Sequence, residues 1–258
     1  MFQDEFNALS NAGKAKVNLL KNNPLGYFIA SIVAGFYIAF GSIVMSTANG
    51  GLSGLQSAKL VGSLVFSVAL SFVVMAGAEL FTGNNLVMTA AAVKKTITWA
   101  DAIKLWIVCY IGNLVGSVLA AFLYHLTKLP AAGTAIGTFV ANATATKMSV
   151  PFLPLFVRGI LCNILVCVAV WSATKMKSES GKLVIIIMCI MTFVYCGFEH
   201  SIANMSLMAV GMMNPGEMAD SISLGGYIYN LATVTLGNMV GGISVALAYY
   251  AISRKKEK

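Results

Sequence analysis

Six long apolar blocks, near residues 26–46, 58–94, 103–126, 152–173, 183–212 and 224–252, alternate with short polar segments along the chain. Each reaches the roughly 20 residues that carry an α-helix across a bilayer, so the pattern predicts six transmembrane helices within residues 23–253. The segment before them reads differently. Phe2, Phe6, Leu9, Val17 and Leu20 recur at helical spacing, with Gly13 thinning that face. This predicts an amphipathic cytoplasmic helix over 1–22 that lies along the inner membrane surface. A basic cytoplasmic tail, 254–258, follows the last block, and the longest loops are about 127–150 and 212–223.

Two of the blocks are interrupted. Glu79-Leu80-Phe81-Thr82-Gly83-Asn84-Asn85 sits inside the second and Gly197-Phe198-Glu199-His200-Ser201-Ile202-Ala203-Asn204 inside the fifth, each with Glu followed five residues later by Asn. Glu79 and Asn84 recur 120 residues later as Glu199 and Asn204, and Gly112-Asn113-Leu114-Val115-Gly116-Ser117 recurs 125 residues later as Gly237-Asn238-Met239-Val240-Gly241-Gly242. Each half then holds three spans, and an odd number turns the second half upside down in the membrane. The expectation is an all-α integral membrane protein built as an inverted repeat, with helices 2 and 5 broken and the site at the repeat interface near the midplane. That architecture belongs to channels and transporters. The paired glycines read as helix packing, since small-xxx-small spacing lets helices approach closely.

Composition supports the membrane reading and fixes an orientation. Hydrophobic residues make up 58% of the 258-residue chain and charged residues 10%, against about 25% charge in soluble domains. If the spans alternate, all of the 17 basic residues except Lys59, Lys128, Lys147 and Arg158 fall on one side. The positive-inside rule then predicts a multi-pass protein of the inner (plasma) membrane with both termini cytoplasmic. Topology accounts for the net charge of +8, and no nucleic-acid partner is needed to explain it. Asp4 and Glu5 stand where a signal peptide would carry its basic region and apolar core. Cys109, Cys162, Cys167, Cys189 and Cys196 lack the paired spacing of a zinc or redox site and read as small core hydrophobes. No metal and no cofactor are expected.

The interruptions hold most of the candidate chemistry, because a carboxylate or imidazole is tolerated at bilayer depth only where it is buried in protein or lines a wet cavity. His200 reads either as a satisfied core histidine or as a pore-lining group that donates a hydrogen bond or proton to a passing anion; the second reading is preferred. Glu79 and Glu199 are expected to be structural, accepting hydrogen bonds from backbone N–H groups freed by each break. Asn84 and Asn204 would serve that purpose from the other side. Thr82-Gly83 is the natural place for the backbone of helix 2 to unwind, since glycine permits unusual conformations and Thr brings a hydroxyl. Lys147, in a hydroxyl-dense segment before Pro151, reads equally as a snorkelling interfacial lysine or as a charge that draws anions.

The segments Ala78-Glu79-Leu80-Phe81-Thr82-Gly83-Asn84 and Gly197-Phe198-Glu199-His200-Ser201-Ile202-Ala203-Asn204-Met205 resemble the two signature segments of the formate/nitrite transporter family. The similarity runs through about 20–252 and, within the family, is greatest to the clostridial hydrosulfide channel branch. The resemblance implies an aquaporin-like six-helix protomer, assembled in the lipid bilayer as a homopentamer with a pore through each subunit. It implies passage of small monovalent anions such as hydrosulfide, formate or nitrite. By motif, Thr82 belongs to the loop interrupting helix 2, His200 is the central pore histidine and Lys147 is the basic residue above it. Leu70, Leu80 and Phe81 would form one constriction, Phe66 and Phe193 the other, with Asn163 and Asn204 beside the chamber. A neutral-solute pore of aquaporin type is the nearest alternative, but its paired Asn-Pro-Ala elements are missing, Asn23-Pro24 and Asn214-Pro215 standing at span edges. An enzyme is not expected, since catalytic metal or haem sites need clustered ligands.

Overall fold

The computed structural model describes residues 1–254, and the chain over them is all-α. Of the expected basic tail only Arg254 falls within this range; Lys255, Lys256 and Lys258 lie outside the described residues. Local capping chemistry sets the long helices. Asn23 Oδ1 accepts the Gly26 N–H at 2.9 Å and Pro24 opens α2 (Pro24–Gly51). Proline suits that first position because its missing N–H is one the helix could not pair. A reciprocal box between Thr98 and Asp101 starts α6 (Trp99–Leu126), and Ser223 Oγ accepts the Gly226 N–H at 3.0 Å to start α11 (Leu224–Ser253). With α8 (Phe152–Lys175) and the stretch Ala58–Gly77, five helical stretches are long and apolar enough to cross a membrane.

Both interrupted blocks are divided. In the first half α3 (Ala58–Phe66), α4 (Val68–Phe72) and a π turn (Val73–Gly77) lead to a break, after which α5 (Phe81–Val93) resumes. In the second half α9 (Glu179–Tyr195) precedes the break and α10 (Ser201–Met213) follows it. The block at 183–212 is therefore shared by two helices and holds no single helix long enough to span.

The segment expected as a loop at 127–150 contains α7 (Ala135–Ser149), capped by Thr134 Oγ1, which accepts the Gly137 N–H at 2.9 Å. This helix stands before α8 as α1 (Gln3–Asn22) stands before α2. The repeat unit is thus longer than three spans. The amphipathic face of α1 is also placed differently from expectation: Phe6, Leu9, Val17 and Leu20 are buried against protein. Gly13 marks the crossing with α5, where an added Cβ would lie 2.6 Å from Ala91 Cβ and 3.0 Å from Val87 O. Farther along, Phe6 packs on Trp171 and Tyr250. The missing side chain permits that approach, so the position that thins the apolar stripe in sequence is the one that docks the helix.

The long helices pack in two equivalent pairs, α2 on α6 and α8 on α11. A Cβ on Gly116 would collide with Ile32 O and one on Gly241 with Ile160 O, so the small-xxx-small reading of both glycine pairs holds. Large apolar side chains such as Ile103, Ile107, Ile111, Leu236 and Val240 point outward, which suits a surface that meets lipid or another apolar surface rather than water.

Candidate functional site: two helix breaks and a central histidine

At the first break Gly77 has φ 84° and at the second Gly197 has φ 75°, a region that side-chain-bearing L-residues enter at a cost. The chain then runs extended to Leu80 and His200, which stand at the N-caps of α5 and α10. Thr82 and Gly83, expected to unwind, instead lie in the first turn of α5. The reason is Asn113 on α6. Its Oδ1 accepts the Phe81 N–H at 2.9 Å, and its Nδ2 donates to Ser31 O at 2.7 Å and Glu79 O at 2.8 Å. Asn238 on α11 repeats the arrangement, accepting from Ser201 N–H at 2.9 Å and donating to Gly159 O at 2.8 Å and Glu199 O at 2.9 Å. The Glu79 and Glu199 N–H groups reach Ala30 O and Arg158 O, both at 3.2 Å.

Backbone freed by the breaks is therefore held by Asn113, Asn238 and neighbouring carbonyls, and the glutamate side chains have other partners than expected. Glu79 Oε1 pairs with Lys16 Nζ at 2.6 Å while its Oε2 accepts from Asn84 Nδ2 at 3.0 Å. Glu199 Oε2 pairs with Lys147 Nζ at 2.7 Å and accepts from Asn204 Nδ2 at 2.7 Å. The carboxylates act as counter-charges to lysines of α1 and α7, because an unpaired charge at this depth costs more than an unpaired neutral amide. Asn84 and Asn204 likewise donate to the carboxylates and do not reach backbone across the breaks. Lys16, Asn113 and Asn238 were not among the residues that the sequence pattern singled out. The asparagines lay in view inside the repeated Gly-Asn landmarks, and Lys16 precedes a proline-opened helix as Lys147 does.

His200 joins the two halves. Its Nδ1 accepts the Ala203 N–H at 3.1 Å, capping α10, and its Nε2 lies 2.9 Å from Thr82 Oγ1. A backbone N–H can only donate, so Nδ1 is an acceptor and the ring's single proton sits on Nε2, pointed at Thr82. The Phe193 ring lies nearly parallel to the imidazole, with centroids 5.9 Å apart. Behind Thr82, Asn163 Nδ2 donates to Thr82 O at 3.2 Å and to Asn238 O at 2.6 Å, so Asn163 braces the threonine backbone and lines none of the cavities described next.

Three cavities follow one another through the site. A vestibule of about 390 Å³ holds Lys147, Glu199, Asn204 and one edge of His200. Another of about 420 Å³ holds Lys16, Glu79 and Asn84. Between them a chamber of about 10 Å³ is walled by Phe66, Leu70, Leu80, Phe193 and His200. Phe66 and Phe193 also face the Lys147 vestibule, and Leu70 and Leu80 the Lys16 vestibule, so these four side chains are the partitions. Phe81 is not one of them. Its ring turns to α6 and packs edge-on against Tyr110, with centroids 5.0 Å apart. Four cysteines are buried as expected of core residues, whereas Cys196, at the end of α9, is exposed.

The arrangement is chemically specific: two larger vestibules, each with a neutralised lysine–glutamate pair, and between them a narrow apolar waist whose one polar wall residue is His200. The family model described as "Formate/nitrite transporter" matches residues 3–252. The nitrite transporter NirC of Salmonella typhimurium is 37% identical over 267 aligned positions, covering 100% of this chain and 94% of that protein. A solved structure described as "FNT family ion channel" superimposes with a TM-score of 0.91 at 34% identity, covering 98% of this chain and 100% of the other. One described as "Pentameric formate channel with formate bound" gives 0.79 at 30%, covering 91% and 99%.

Proposed function

The chain belongs to the formate/nitrite transporter family, and from that premise we propose that it passes small monovalent weak-acid anions through the inner membrane. Formate and nitrite follow from the relatives' names. Hydrosulfide is the third candidate, supported by the chamber itself. A space of about 10 Å³ is roughly one probe sphere, and a one-heavy-atom anion enters it with less displacement of Leu80 and Phe193 than planar formate or nitrite. A homopentamer is supported by the relative described as pentameric. With both termini cytoplasmic, the Lys16 vestibule opens inward and the Lys147 vestibule outward. The 1–22 helix belongs to the inner mouth and residues 23–253 to the pore.

The observation that carries the reading is the Nε2–H of His200 held on Thr82 Oγ1 between apolar partitions. A bare anion at that waist loses its hydration, a penalty of tens of kcal/mol for an isolated ion in a low-dielectric medium. Lys147 and Lys16 lower the approach energy without a large net charge, because Glu199 and Glu79 neutralise them. At the waist the anion takes the His200 N–H in place of Thr82, and Thr82 offers its hydroxyl in turn. His200 in this arrangement serves as a hydrogen-bond donor. With Nδ1 already an acceptor, full transfer of its one proton would leave an imidazolate, so an anion that crosses as neutral acid takes its proton from hydronium or buffer acid in the bulk solution, whose conjugate base stays there. Asn204 holds Glu199, and Asn163 holds the Thr82 backbone.

Stopped-flow flux into proteoliposomes tests this with hydrosulfide, formate, nitrite and glycerol against wild type, His200→Asn and Thr82→Val. Fast anion entry that falls in both variants, with glycerol no faster than in empty vesicles, is the expected result. Entry of no anion above empty vesicles in correctly assembled protein overturns the proposal, and glycerol entry independent of His200 returns the neutral-solute pore.

A further inference from the structure

The two vestibules have matching ion pairs but unequal net charge. Around the Lys147 vestibule the charged lining residues are Lys59, Lys147 and Glu199. Lys147 and Glu199 cancel at 2.7 Å, and Lys59 has no carboxylate partner among the described residues. Around the Lys16 vestibule only Lys16 and Glu79 are charged, and they cancel at 2.6 Å. The lining of one vestibule therefore holds an uncancelled cation and the lining of the other does not. Lys59 stands in the first turn of α3, its ammonium 5.4 Å from the centroid of the Tyr195 ring, a contact that holds a cation beside the mouth without discharging it. The residue 120 positions later, where the repeat would put its counterpart, is Glu179, itself paired with Lys182 at 3.0 Å. The repeat is thus broken in charge at this position.

We propose that Lys59 is an anion-capture residue of this protein, supplying the uncancelled positive charge that concentrates substrate in the Lys147 vestibule. The proposal rests on the anion-transport reading above and adds to it a residue. Its physics is long-range: a net positive charge in a concave mouth raises local anion concentration and capture rate. A single charge acts over about one Debye length, some 30 Å at 0.01 M salt and 3 Å at 1 M. The contribution therefore depends on ionic strength, unlike the hydrogen bonds at His200.

The test is initial formate uptake by proteoliposomes at subsaturating anion, at low and high ionic strength, for wild type, Lys59→Gln, Lys59→Arg, Lys59→Glu and Glu179→Gln. Lys59→Gln is expected to slow low-salt uptake by about two- to fivefold, Lys59→Glu to slow it further, and Lys59→Arg to restore it. All differences should shrink towards none at high salt and at saturating formate, and Glu179→Gln should match wild type throughout. Equal rates for wild type and Lys59→Gln at low salt, with formate uptake still abolished by His200→Asn, would overturn the role of Lys59 alone. A loss in Lys59→Gln that persists at high salt would also overturn it, pointing to a packing defect. Absence of formate, nitrite and hydrosulfide uptake in wild type would sink the transport reading, and this one with it.

Discussion

The two helix breaks share a scaffold and differ at the residue that faces the chamber. In both, a glycine with positive φ turns the chain, a glutamate takes a lysine from the helix that precedes each half's first long helix, and an asparagine of the closing helix caps the helix that resumes. The N-cap residue then departs: Leu80 in the first break, His200 in the second, both on the wall of the same chamber. Two residues onward the polarity crosses over, Thr82 in the first half standing against Ile202 in the second. The repeated residues keep backbone paired at membrane depth, and the unrepeated ones bring an imidazole and a hydroxyl together from opposite halves. In an inverted repeat, then, the search for chemistry is best directed at what the symmetry fails to reproduce.

The comparison breaks most severely at the ion pairs. Glu199→Gln leaves the Lys147 ammonium without its counter-charge, and removal of one partner from a buried pair costs about 3–5 kcal/mol. Glu79→Gln is expected to cost less, because the Lys16 and Glu79 side chains are 24% and 12% exposed against 20% and 5% for Lys147 and Glu199. Melting temperatures in detergent check the ranking. Adding Lys147→Met to Glu199→Gln should recover most of the loss, and failure to do so would mean that the charge balance is not what holds the break. Next come the capping asparagines. Asn113→Leu or Asn238→Leu orphans a buried N–H at its break and takes one donor from each of two carbonyls, about 2–3 kcal/mol in sum at each. Equal losses are expected if the halves are equivalent scaffolds; a marked difference in melting temperature between the two variants would show that they are not.

How much of this was legible in the sequence depends on how far the deciding contact lies along the chain. The apolar blocks and the all-α membrane fold are local properties of composition, and both breaks showed as polar residues where apolar ones should run. Where the first break falls was not legible, because Asn113 recaps the helix at Phe81 from 32 residues away. Lys147 could not be assigned a partner for the same reason, its carboxylate lying 52 residues onward. The helix α7 was hidden by its own composition, since its alanines, threonines and asparagine carry no apolar stripe and its cap at Thr134 looks like any loop hydroxyl. Of the five constriction residues that the family resemblance implied, Phe66, Leu70, Leu80 and Phe193 wall the chamber. Phe81 does not, because its position opening α5 aims the ring at Tyr110.

A smaller effect tests whether His200 is scaffold as well as site. His200→Leu makes the two N-caps alike and removes one capping bond to Ala203 N–H, about 1 kcal/mol, together with the hydrogen bond between His200 and Thr82. Because the first break folds with leucine at this position, the variant should assemble and melt only slightly below wild type while anion flux is abolished. Assembly that fails outright would make the imidazole a structural necessity and weaken every flux measurement made on histidine variants.

The finest test concerns where each break lies. Gly77 and Gly197 occupy positive φ with nothing within 4 Å of an added Cβ, so Gly77→Ala and Gly197→Ala suffer backbone strain alone, about 1 kcal/mol each. Gly83 lies inside α5, and an added Cβ would meet only Val170 Cγ2 at 3.6 Å, an ordinary contact. Alanine is favoured over glycine at helical positions, by at most about 0.5–1 kcal/mol and by less in a first turn, so Gly83→Ala should raise the melting temperature slightly while the other two lower it. The opposite signs separate a break at residues 78–80 from one at Thr82-Gly83, which the residue types alone suggest. A loss of stability in Gly83→Ala comparable to that in Gly77→Ala would move the break back to where the sequence pattern put it, and with it the helix register that points Thr82 at His200.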